Sequence, residues 1–496
     1  MKIKPLIFSS LLLAASAGVY AQEKSTDPII NILPDGAPKQ LSPMAMGVNT
    51  QCRKGPSWDD KSFLDRIATL HLQNIRYPGG TIGDFWDWRT GMLIQQNMRD
   101  PKHPVEIPKG SYGITKKINR YTLDDFKKAL DRSPGAQAVF MLNMLTDNLE
   151  SQIEMLRYAR KIGIPVRYVE FGNEYYLSYW GGGSVQDNRT GYYTEIYPTA
   201  ADYAKECVRW TKALRAEFPG IKVAIIAQNY DGNEAPWLSH PRSQSWNHDI
   251  MEANTGVDAA IVHLYTDSRR AASPAQSFYF SKKRMDENAE YLSRELSGMP
   301  VWFTEFNIKS SSNRYECAWI MALHTIFQIC ETMLIPQVEF VCYHNLTAEY
   351  QIALIFNEKT NVPIKRGGAE TVEVQPLELS VSGYGYRFLG EAMVGSKTLQ
   401  RLQFEGVPTI KVENTTMPLV WGYAIQSAKA EKVILNLSDQ PQTIACGKGV
   451  NNVRSATAAA LDLVITNQKQ ITYSNAKADP NGNVTVPPRS MNLIVY

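Results

Sequence analysis

Residues 166–176, VRYVEFGNEYY, contain the pattern that decides the fold. The short apolar run predicts an extended, half-buried segment, and the glycine that closes it is followed at once by Asn173 and Glu174. A strand that presents polar side chains where it ends is typical of a parallel barrel, because the functional residues of such barrels lie at the carboxyl ends of the strands. The rest of the chain should then repeat this unit.

Short apolar runs alternate with helical patterns between about residues 40 and 390. The first helical pattern places Phe63 and Ile67 on one face, and the second opens with a capping box of Thr122 and Asp125. Strands that alternate with helices predict parallel pairing and a (β/α)8 TIM barrel. The alternative, an open doubly wound sheet, lacks a glycine-rich phosphate-binding motif after its first strand. The predicted strands are residues 42–50, 74–80, 138–145, 166–176, 222–229, 259–266, 301–307 and 337–345.

The two ends of the chain have a different character from the predicted barrel. Residues 1–21 combine two lysines, an apolar stretch and small residues at Val19 and Ala21, which predicts a secretory signal peptide. From residue 399 to 496, short β-rich runs separated by Gly, Pro, Asn and Asp predict an antiparallel β-sandwich. Residues 22–40 are expected to add a strand to that sandwich, which leaves residues 41–398 for the barrel.

Composition excludes several classes of protein. The 496 residues are 44% hydrophobic and 20% charged, with a net charge of +3 and no long basic run, so neither nucleic acid nor a membrane surface is an expected partner. No stretch after the signal peptide reaches the roughly 18 apolar residues of a membrane span. The protein is therefore expected to be exported, either to the periplasm or to the cell exterior. The oligomeric state stays open.

Nearly every predicted strand ends in a side chain that can form hydrogen bonds. Such a rim suits the binding of several sugar hydroxyl groups better than a purely structural role. The histidines have no companion ligand at metal-binding spacing, and no cofactor or metal is expected. In strand order these residues are Asn49, Arg76, Asn143, Asn173 with Glu174, Asn229, His263 with Tyr265, Glu305 and His344.

Two of these rim residues are carboxylates, Glu174 after the fourth strand and Glu305 on the seventh. A retaining glycosidase places two carboxyl groups about 5–5.5 Å apart, one as acid/base and one as nucleophile. A single glutamate at a strand end is more often an ion-pair partner, but the pair together predicts this chemistry. A carbohydrate-binding protein without catalysis is the alternative of a different class.

Three short motifs resemble the clan A retaining glycoside hydrolases. FGNEYY (171–176) resembles the Asn-Glu signature of that clan, which implies that Glu174 is the acid/base and that Asn173 binds a sugar 2-hydroxyl group. WFTEFN (302–307) resembles the segment of the nucleophile, here Glu305. IVHLYT (261–266) resembles the sixth-strand motif whose aromatic residue, here Tyr265, forms a hydrogen bond to the nucleophile.

Within the clan, residues 75–91, IRYPGGTIGDFWDWRTG, are similar to the second-strand segment of the α-L-arabinofuranosidases. Those enzymes also carry a C-terminal β-sandwich that receives an N-terminal strand. The chain departs from them in having Thr81 where they usually have Asn, and Phe306 where they typically have Trp. The resemblance implies release of α-L-arabinofuranosyl residues from a plant-type or related polysaccharide or oligosaccharide. The departures leave β-xylosidase and β-glucuronidase or heparanase-like activities open.

Three further side chains have two interpretations each. Arg76 either holds a carboxylate such as Glu170 or Glu305, which is favoured, or binds a substrate uronate. Trp86 could stack on a sugar face or pack in the core. Tyr175, next to Glu174, could line the site or support it.

Overall fold

The computed structural model describes residues 29–50, 56–94, 96–101, 120–177, 192–230, 241–308, 314–348, 353–363, 370–427 and 430–496. Eight parallel strands close into a barrel in which neighbours along the chain are neighbours in space, and the eighth strand pairs with the first. The (β/α)8 prediction is confirmed. The barrel strands are Met46–Asn49, Asn74–Tyr77, Gln137–Met141, Tyr168–Glu170, Lys222–Ile226, Ala259–Thr266, Val301–Ile308 and Val338–His344.

Most barrel strands are shorter than their sequence pattern predicts. The fourth covers only Tyr168–Glu170, although the apolar pattern continues to Phe171. Gly172 follows with φ +84, a left-handed conformation in which the chain leaves the sheet. Residues after Phe171 are thereby free to point into the mouth of the barrel.

The helices surround the barrel, and two of them begin at capping boxes. Thr122 and Asp125 form the predicted capping box, and Thr199 and Asp202 form another. No helix in the described ranges is long and apolar enough to cross a membrane. The α-helices are Lys61–Ala68, Leu123–Asp131, Leu149–Lys161, Tyr192–Ile196, Ala200–Glu217, Pro241–Glu252, Ser277–Glu295, Ile320–Leu334 and Val381–Met393.

A second unit is built from a mostly antiparallel sheet of nine strands. Ile30–Gln40 pairs antiparallel with Thr398–Glu405 and parallel with Gln442–Ala445, so the N-terminal strand lies in the sheet formed by the C-terminal part of the chain. In spatial order the strands are Thr472–Ala476, Asn452–Thr457, Ser490–Val495, Ala430–Asn436, Val420–Gln426, Thr398–Glu405, Ile30–Gln40, Gln442–Ala445 and Asn483–Val486.

The two faces of this sheet have different partners. Ile434 packs with Val453 and Val484, which lie on strands near opposite edges of the sheet, so the sheet curls over its own core as a β-sandwich. The alternate residues Val433 and Leu435 pack in the core that includes the barrel. The predicted barrel and sandwich are therefore joined by continuous apolar packing.

Short pairs of strands and single 3-10 turns complete the described part of the chain. They lie in the connections between the larger elements. The strand pairs are Trp86–Asp87 with Met92–Leu93, Thr347–Ala348 with Ile355–Phe356, Thr360–Pro363 with Thr371–Val374, and Thr409–Val412 with Thr415–Pro418. The 3-10 helices are Thr81–Phe85, Pro274–Gln276 and Gln468–Gln470. The predicted signal peptide, residues 1–21, lies outside the described residues.

Candidate active site

The register of the barrel brings the predicted strand-end residues together at one mouth. Asn49 on the first strand is opposite Arg76 on the second and His344 on the eighth. His263 on the sixth strand is opposite Glu305 on the seventh. Side chains far apart along the chain therefore converge because all eight strands are parallel.

Glu305 lies within its strand, one residue beyond an irregularity in the pairing. Phe303 is opposite Val262 and Glu305 is opposite His263, so Thr304 is an extra residue on this side of the ladder. A bulge of this kind redirects the following side chain. Glu305 is only 5% exposed, so a negative charge on its carboxylate must be stabilised by protein groups and not by water.

Both carboxylate oxygens of Glu305 accept hydrogen bonds. Oε1 accepts from Arg76 Nη1 at 2.7 Å and from Asn49 Nδ2 at 3.1 Å. Oε2 accepts from the Tyr265 hydroxyl group at 2.8 Å, and His344 Nδ1 lies 3.5 Å from the same oxygen. These donors fix the orientation of the carboxylate and favour its ionised form.

The charges around Glu305 act in the same direction as these donors. Burial alone would raise the pKa of the Glu305 carboxyl group. The neighbouring His263, His344 and Arg76 outweigh burial and lower that pKa to about 2. Glu305 is therefore an anion at neutral pH, which is the state a nucleophile requires.

Glu174 occupies a different environment on the loop after the fourth strand. Its backbone has φ +50, an uncommon conformation for a residue with a side chain. Oε1 lies 2.9 Å from His263 Nδ1 and accepts a hydrogen bond from Tyr176 at 3.3 Å. The Glu174 side chain is about one-fifth exposed, so it can exchange protons with a bound molecule or water.

The two glutamates face each other closely. Glu174, His263 and Glu305 each offer a ligand-type atom within 4.8 Å of the other two. The same geometry could hold a metal ion, but the guanidinium of Arg76 already contacts Glu305 and disfavours a second cation. The absence of a metal stays a prediction.

Arg76 links the glutamate of the seventh strand to the fourth strand. Its Nε donates to Glu170 Oε2 at 2.8 Å, and its Nη2 donates to Asn173 Oδ1 at 3.1 Å. Arg76 and Glu170 are fully buried. Burial disfavours the charge on Arg76, but Glu170 and Glu305 reverse the effect and raise its pKa. The guanidinium is thus committed to carboxylates of the protein, which supports the favoured interpretation over binding of a uronate.

Three residues expected to contact substrate lie in the wall of the site instead. Trp86 is 2% exposed and donates to the hydroxyl group of Tyr77. Asn143 is 2% exposed and donates to the backbone oxygen of Trp86. Tyr175 is fully buried. Their polar groups bond to Tyr77, to the backbone of Trp86 and to Asp84 respectively, and we assign them a supporting role.

Asn229 differs from the other predicted residues because its strand ends three residues before it. The fifth strand ends earlier, at Ile226, and Asn229 is partly exposed in the following segment. Among the hydrogen bonds of the described residues, none joins Asn229 to Glu174 or Glu305. Its predicted contact with substrate stays untested.

Asp84 is a buried carboxylate near the site that the sequence analysis did not single out. It accepts a hydrogen bond from Tyr175 at 2.9 Å and another from Tyr193 at 2.8 Å. Burial raises the pKa of Asp84 well above its usual value. Because Tyr175 follows Glu174 in the chain, Asp84 anchors the loop that carries Glu174. An Asp four residues after a Pro-Gly-Gly turn was the available signal.

Known proteins resemble this chain in sequence over half of its length or less. No protein-family model matches the chain. It is 25% identical over 223 residues to a probable α-L-arabinofuranosidase C of Aspergillus clavatus, covering 42% of this chain and 40% of that protein. For a probable α-L-arabinofuranosidase C of Aspergillus flavus, identity is 24% over 272 residues and coverage is 50% of each. The chain thus spans at most half the length of these curated relatives.

Solved structures extend the likeness to nearly the whole chain. A thermostable GH51 α-L-arabinofuranosidase from Thermotoga petrophila matches with a TM-score of 0.66 at 17% identity, covering 94% of this chain and 99% of that one. The chain resembles the clan A α-L-arabinofuranosidases. A 4-O-α-L-rhamnosyl-β-D-glucuronidase from Fusarium oxysporum also matches, with a TM-score of 0.60 at 15% identity over 95% of this chain and all of that one. At these low identities, the similarity to the solved structures shows only that the fold is shared.

Proposed function

We propose that the protein is a retaining glycoside hydrolase in which Glu305 is the nucleophile and Glu174 is the acid/base. The observation that carries the proposal is the approach of the two carboxylates, which have atoms within 4.8 Å of one another. Retaining enzymes hold their carboxyl groups about 5–5.5 Å apart, whereas inverting enzymes need about 6.5–9.5 Å to admit water. The spacing therefore favours double displacement.

The surroundings of each glutamate suit its proposed role. Glu305, ionised and held by Arg76 and Tyr265, attacks the anomeric carbon while Glu174 protonates the departing oxygen. The glycosyl ester on Glu305 is then hydrolysed by water that Glu174 deprotonates, and Glu174 regains its proton. Asn173 accepts from Arg76 through Oδ1 and donates from Nδ2 to Thr81 Oγ1 at 3.4 Å, so its proposed contact with a sugar hydroxyl group uses the second hydrogen of Nδ2.

An α-L-arabinofuranosyl linkage is the proposed substrate. Support comes from the arabinofuranosidase names of the curated relatives and from the GH51 neighbour. Commitment of Arg76 to Glu170 and Glu305 argues against a uronate at this mouth and thus against a β-glucuronidase. We also propose that the protein is exported, on the basis of the leader pattern of residues 1–21.

The test is release of nitrophenol from a panel of aryl glycosides: α-L-arabinofuranoside, β-D-xyloside, β-D-glucuronide, β-D-glucoside and β-D-galactoside. Wild type is compared with Glu305→Gln and with Glu339→Gln. Glu339 lies at the opposite end of the eighth barrel strand and accepts from Trp302, so it is a matched control in the same barrel. Proton NMR of the first sugar released reports its anomeric configuration.

The expected result is hydrolysis of the arabinofuranoside with retained configuration, lost in Glu305→Gln and kept in Glu339→Gln. Release of another sugar would replace the substrate and keep the mechanism. Normal turnover by folded Glu305→Gln, or an inverted first product, would overturn the mechanism. Sugar binding by folded wild type without any hydrolysis would favour a carbohydrate-binding protein.

A further inference from the structure

A second cavity lies away from the barrel mouth, where the last helix of the barrel region meets the sandwich. It has a volume of about 190 Å³. One wall is the helix Val381–Met393, and the other is formed by the strands Asn452–Thr457 and Thr472–Ala476 at one edge of the sheet. We call it the junction cavity. None of the residues predicted for the active site lines it.

The helix contributes four lining residues spaced three or four apart, so they share one face. They are Tyr384, Arg387, Phe388 and Glu391. The strands contribute Arg454 and Tyr473, among others. Each wall thus contributes one guanidinium group, Arg387 from the helix and Arg454 from a strand, and each also contributes a tyrosine ring.

Two donors in the junction cavity lack acceptors among the described residues. Tyr384 is 2% exposed and its buried hydroxyl group has no hydrogen-bond partner. Nε of Arg454 is also buried without a partner, although Nη2 of the same residue pairs with Glu391. Buried polar groups are nearly always satisfied, and such exceptions point to a missing ligand or water.

Arg387 is a third donor that faces the same cavity. Its guanidinium lies 5.6 Å from the centre of the Tyr384 ring, and Nη2 donates to the hydroxyl group of Tyr473 at 3.3 Å. In the described part of the chain, no carboxylate forms an ion pair with it. With Glu391 already paired to Arg454, the cavity keeps one uncompensated positive charge and favours an anion.

The aromatic residue at the rim indicates what kind of anion fits. Tyr473 is 44% exposed on the edge strand of the sheet. An exposed tyrosine ring beside hydrogen-bond donors suits a ligand with an apolar face and a polar edge, as a sugar ring has. Small inorganic anions would use the arginines but leave this ring unused.

We propose that the junction cavity binds a carboxylate-bearing sugar residue, a uronate, of the polysaccharide on which the protein acts. The carboxylate would accept from Arg387 and from the hydroxyl group of Tyr384, while the sugar ring packs on Tyr473. The choice of a sugar rests on the proposed function, whereas the anion site rests on the donors alone. Such a site would hold an acidic polymer at a point away from the barrel mouth and select decorated chains.

The experiment measures binding of D-glucuronate by calorimetry and by saturation-transfer NMR, with Glu305→Gln as the starting protein so that no turnover occurs. Arg387→Met removes the charge with little change in size, and Tyr473→Ala removes the ring. Tyr384→Phe removes only the hydroxyl group. Arg294→Met is the control, since Arg294 is 63% exposed on another helix. D-Glucose and acetate test the carboxylate and the sugar separately.

Glucuronate should bind more tightly than either glucose or acetate, and Arg387→Met should raise its Kd about tenfold, as expected for loss of one charge-assisted hydrogen bond. Arg294→Met should leave the Kd unchanged. If glucose binds as tightly as glucuronate, the proposed recognition of the carboxylate is wrong. If acetate binds as tightly, the proposed recognition of the sugar ring is wrong. No binding, or binding that Arg387→Met and Tyr384→Phe leave unaltered, overturns the site.

The same variants separate this proposal from the proposed function. In a background with Glu305 intact, Arg387→Met should hydrolyse a small aryl arabinofuranoside at the wild-type rate, because the junction cavity is remote from the glutamates. Loss of glucuronate binding with normal hydrolysis supports both proposals. Glucuronate binding that depends on Arg387, in a protein with no hydrolysis, supports the cavity and contradicts the catalytic function.

Discussion

Tyr265 donates its phenolic hydrogen to Glu305 at 2.8 Å from the neighbouring strand of the barrel. The bond favours the ionised carboxylate, whose pKa is about 2. In Tyr265→Phe the anion loses this donor, so the pKa rises and the acid limb of kcat/KM moves to higher pH by about one unit. The measurement is the pH profile of aryl arabinofuranoside hydrolysis.

The control for this prediction is Tyr158→Phe. Tyr158 also donates to a carboxylate, Asp124, at 2.9 Å, but on the exterior of the barrel. Its removal should leave the profile unchanged. An acid limb that stays in place in Tyr265→Phe would mean that Tyr265 does not set the ionisation of Glu305.

Gly172 and Tyr175 are packed so closely that a methyl group on the glycine would lie 2.3 Å from the tyrosine ring. Gly172→Ala should therefore displace the loop that carries Glu174 and lower kcat/KM about a hundredfold. Gly220→Ala is a matched control, because Gly220 has a similar φ of +80 but open space around it. Both variants should lose a little stability, and only Gly172→Ala should lose activity. Equal kcat/KM values would contradict the steric argument.

The sequence was most informative where chemistry and strand periodicity coincide. Glu174 and Glu305 follow apolar strand patterns directly, and parallel strands bring such ends together, so their juxtaposition was predictable. The direction in which a neighbouring aromatic side chain points was not predictable from the sequence. For Trp86 the sequence left stacking on a sugar and packing in the core equally open; the side chain donates to Tyr77 in the core, because its direction depends on packing that no local pattern encodes.

Contacts between distant segments explain what was missed. Asp84 is held by Tyr175 and Tyr193, which are 91 and 109 residues further along the chain. No spacing rule links positions so far apart. The short fourth strand was also unpredictable in its bounds, since the left-handed turn at Gly172 ends it inside an apolar run.

The buried carboxyl group of Asp84 should make stability depend on pH. Burial raises its pKa in the folded state, so its contribution to stability is full below about pH 4 and is lost as pH rises through the folded pKa. Asp84→Asn has no charge to bury. The free energy of unfolding of this variant, relative to wild type, should therefore improve as pH rises from about 4 to 7.

Urea denaturation at a series of pH values checks this prediction, with Asp479→Asn as a control of opposite sign. Hydrogen bonds from Asn483 lower the pKa of the exposed Asp479, so its contribution is present above the unfolded pKa and is lost as pH falls. A difference between Asp84→Asn and wild type that does not change with pH would contradict a raised pKa.

Glu331 and Arg401 join the barrel to the sandwich through an ion pair whose carboxylate is buried. Arg401 Nε donates to Glu331 Oε1 at 2.8 Å and Nη2 to Oε2 at 2.5 Å, and Glu331 is 3% exposed. Arg401→Met leaves the buried carboxylate with only the Tyr423 hydroxyl group at 3.0 Å and Lys282 at 3.7 Å, and should cost about 1.5–3 kcal/mol of the free energy of unfolding, as expected for lost hydrogen bonds to a charged group. Arg209→Met, which breaks an exposed pair with Glu206, should cost less than about 1 kcal/mol.

A double variant distinguishes loss of the pair from loss of packing at this junction. Glu331→Met combined with Arg401→Met removes both charges and should recover most of the stability that Arg401→Met loses, because apolar side chains can replace a buried ion pair. Calorimetric unfolding of wild type, Glu331→Met, Arg401→Met and the double variant gives the comparison. If the double variant is as unstable as Arg401→Met alone, the cost lies in packing of the arginine stem, and the charge of Glu331 is not its cause.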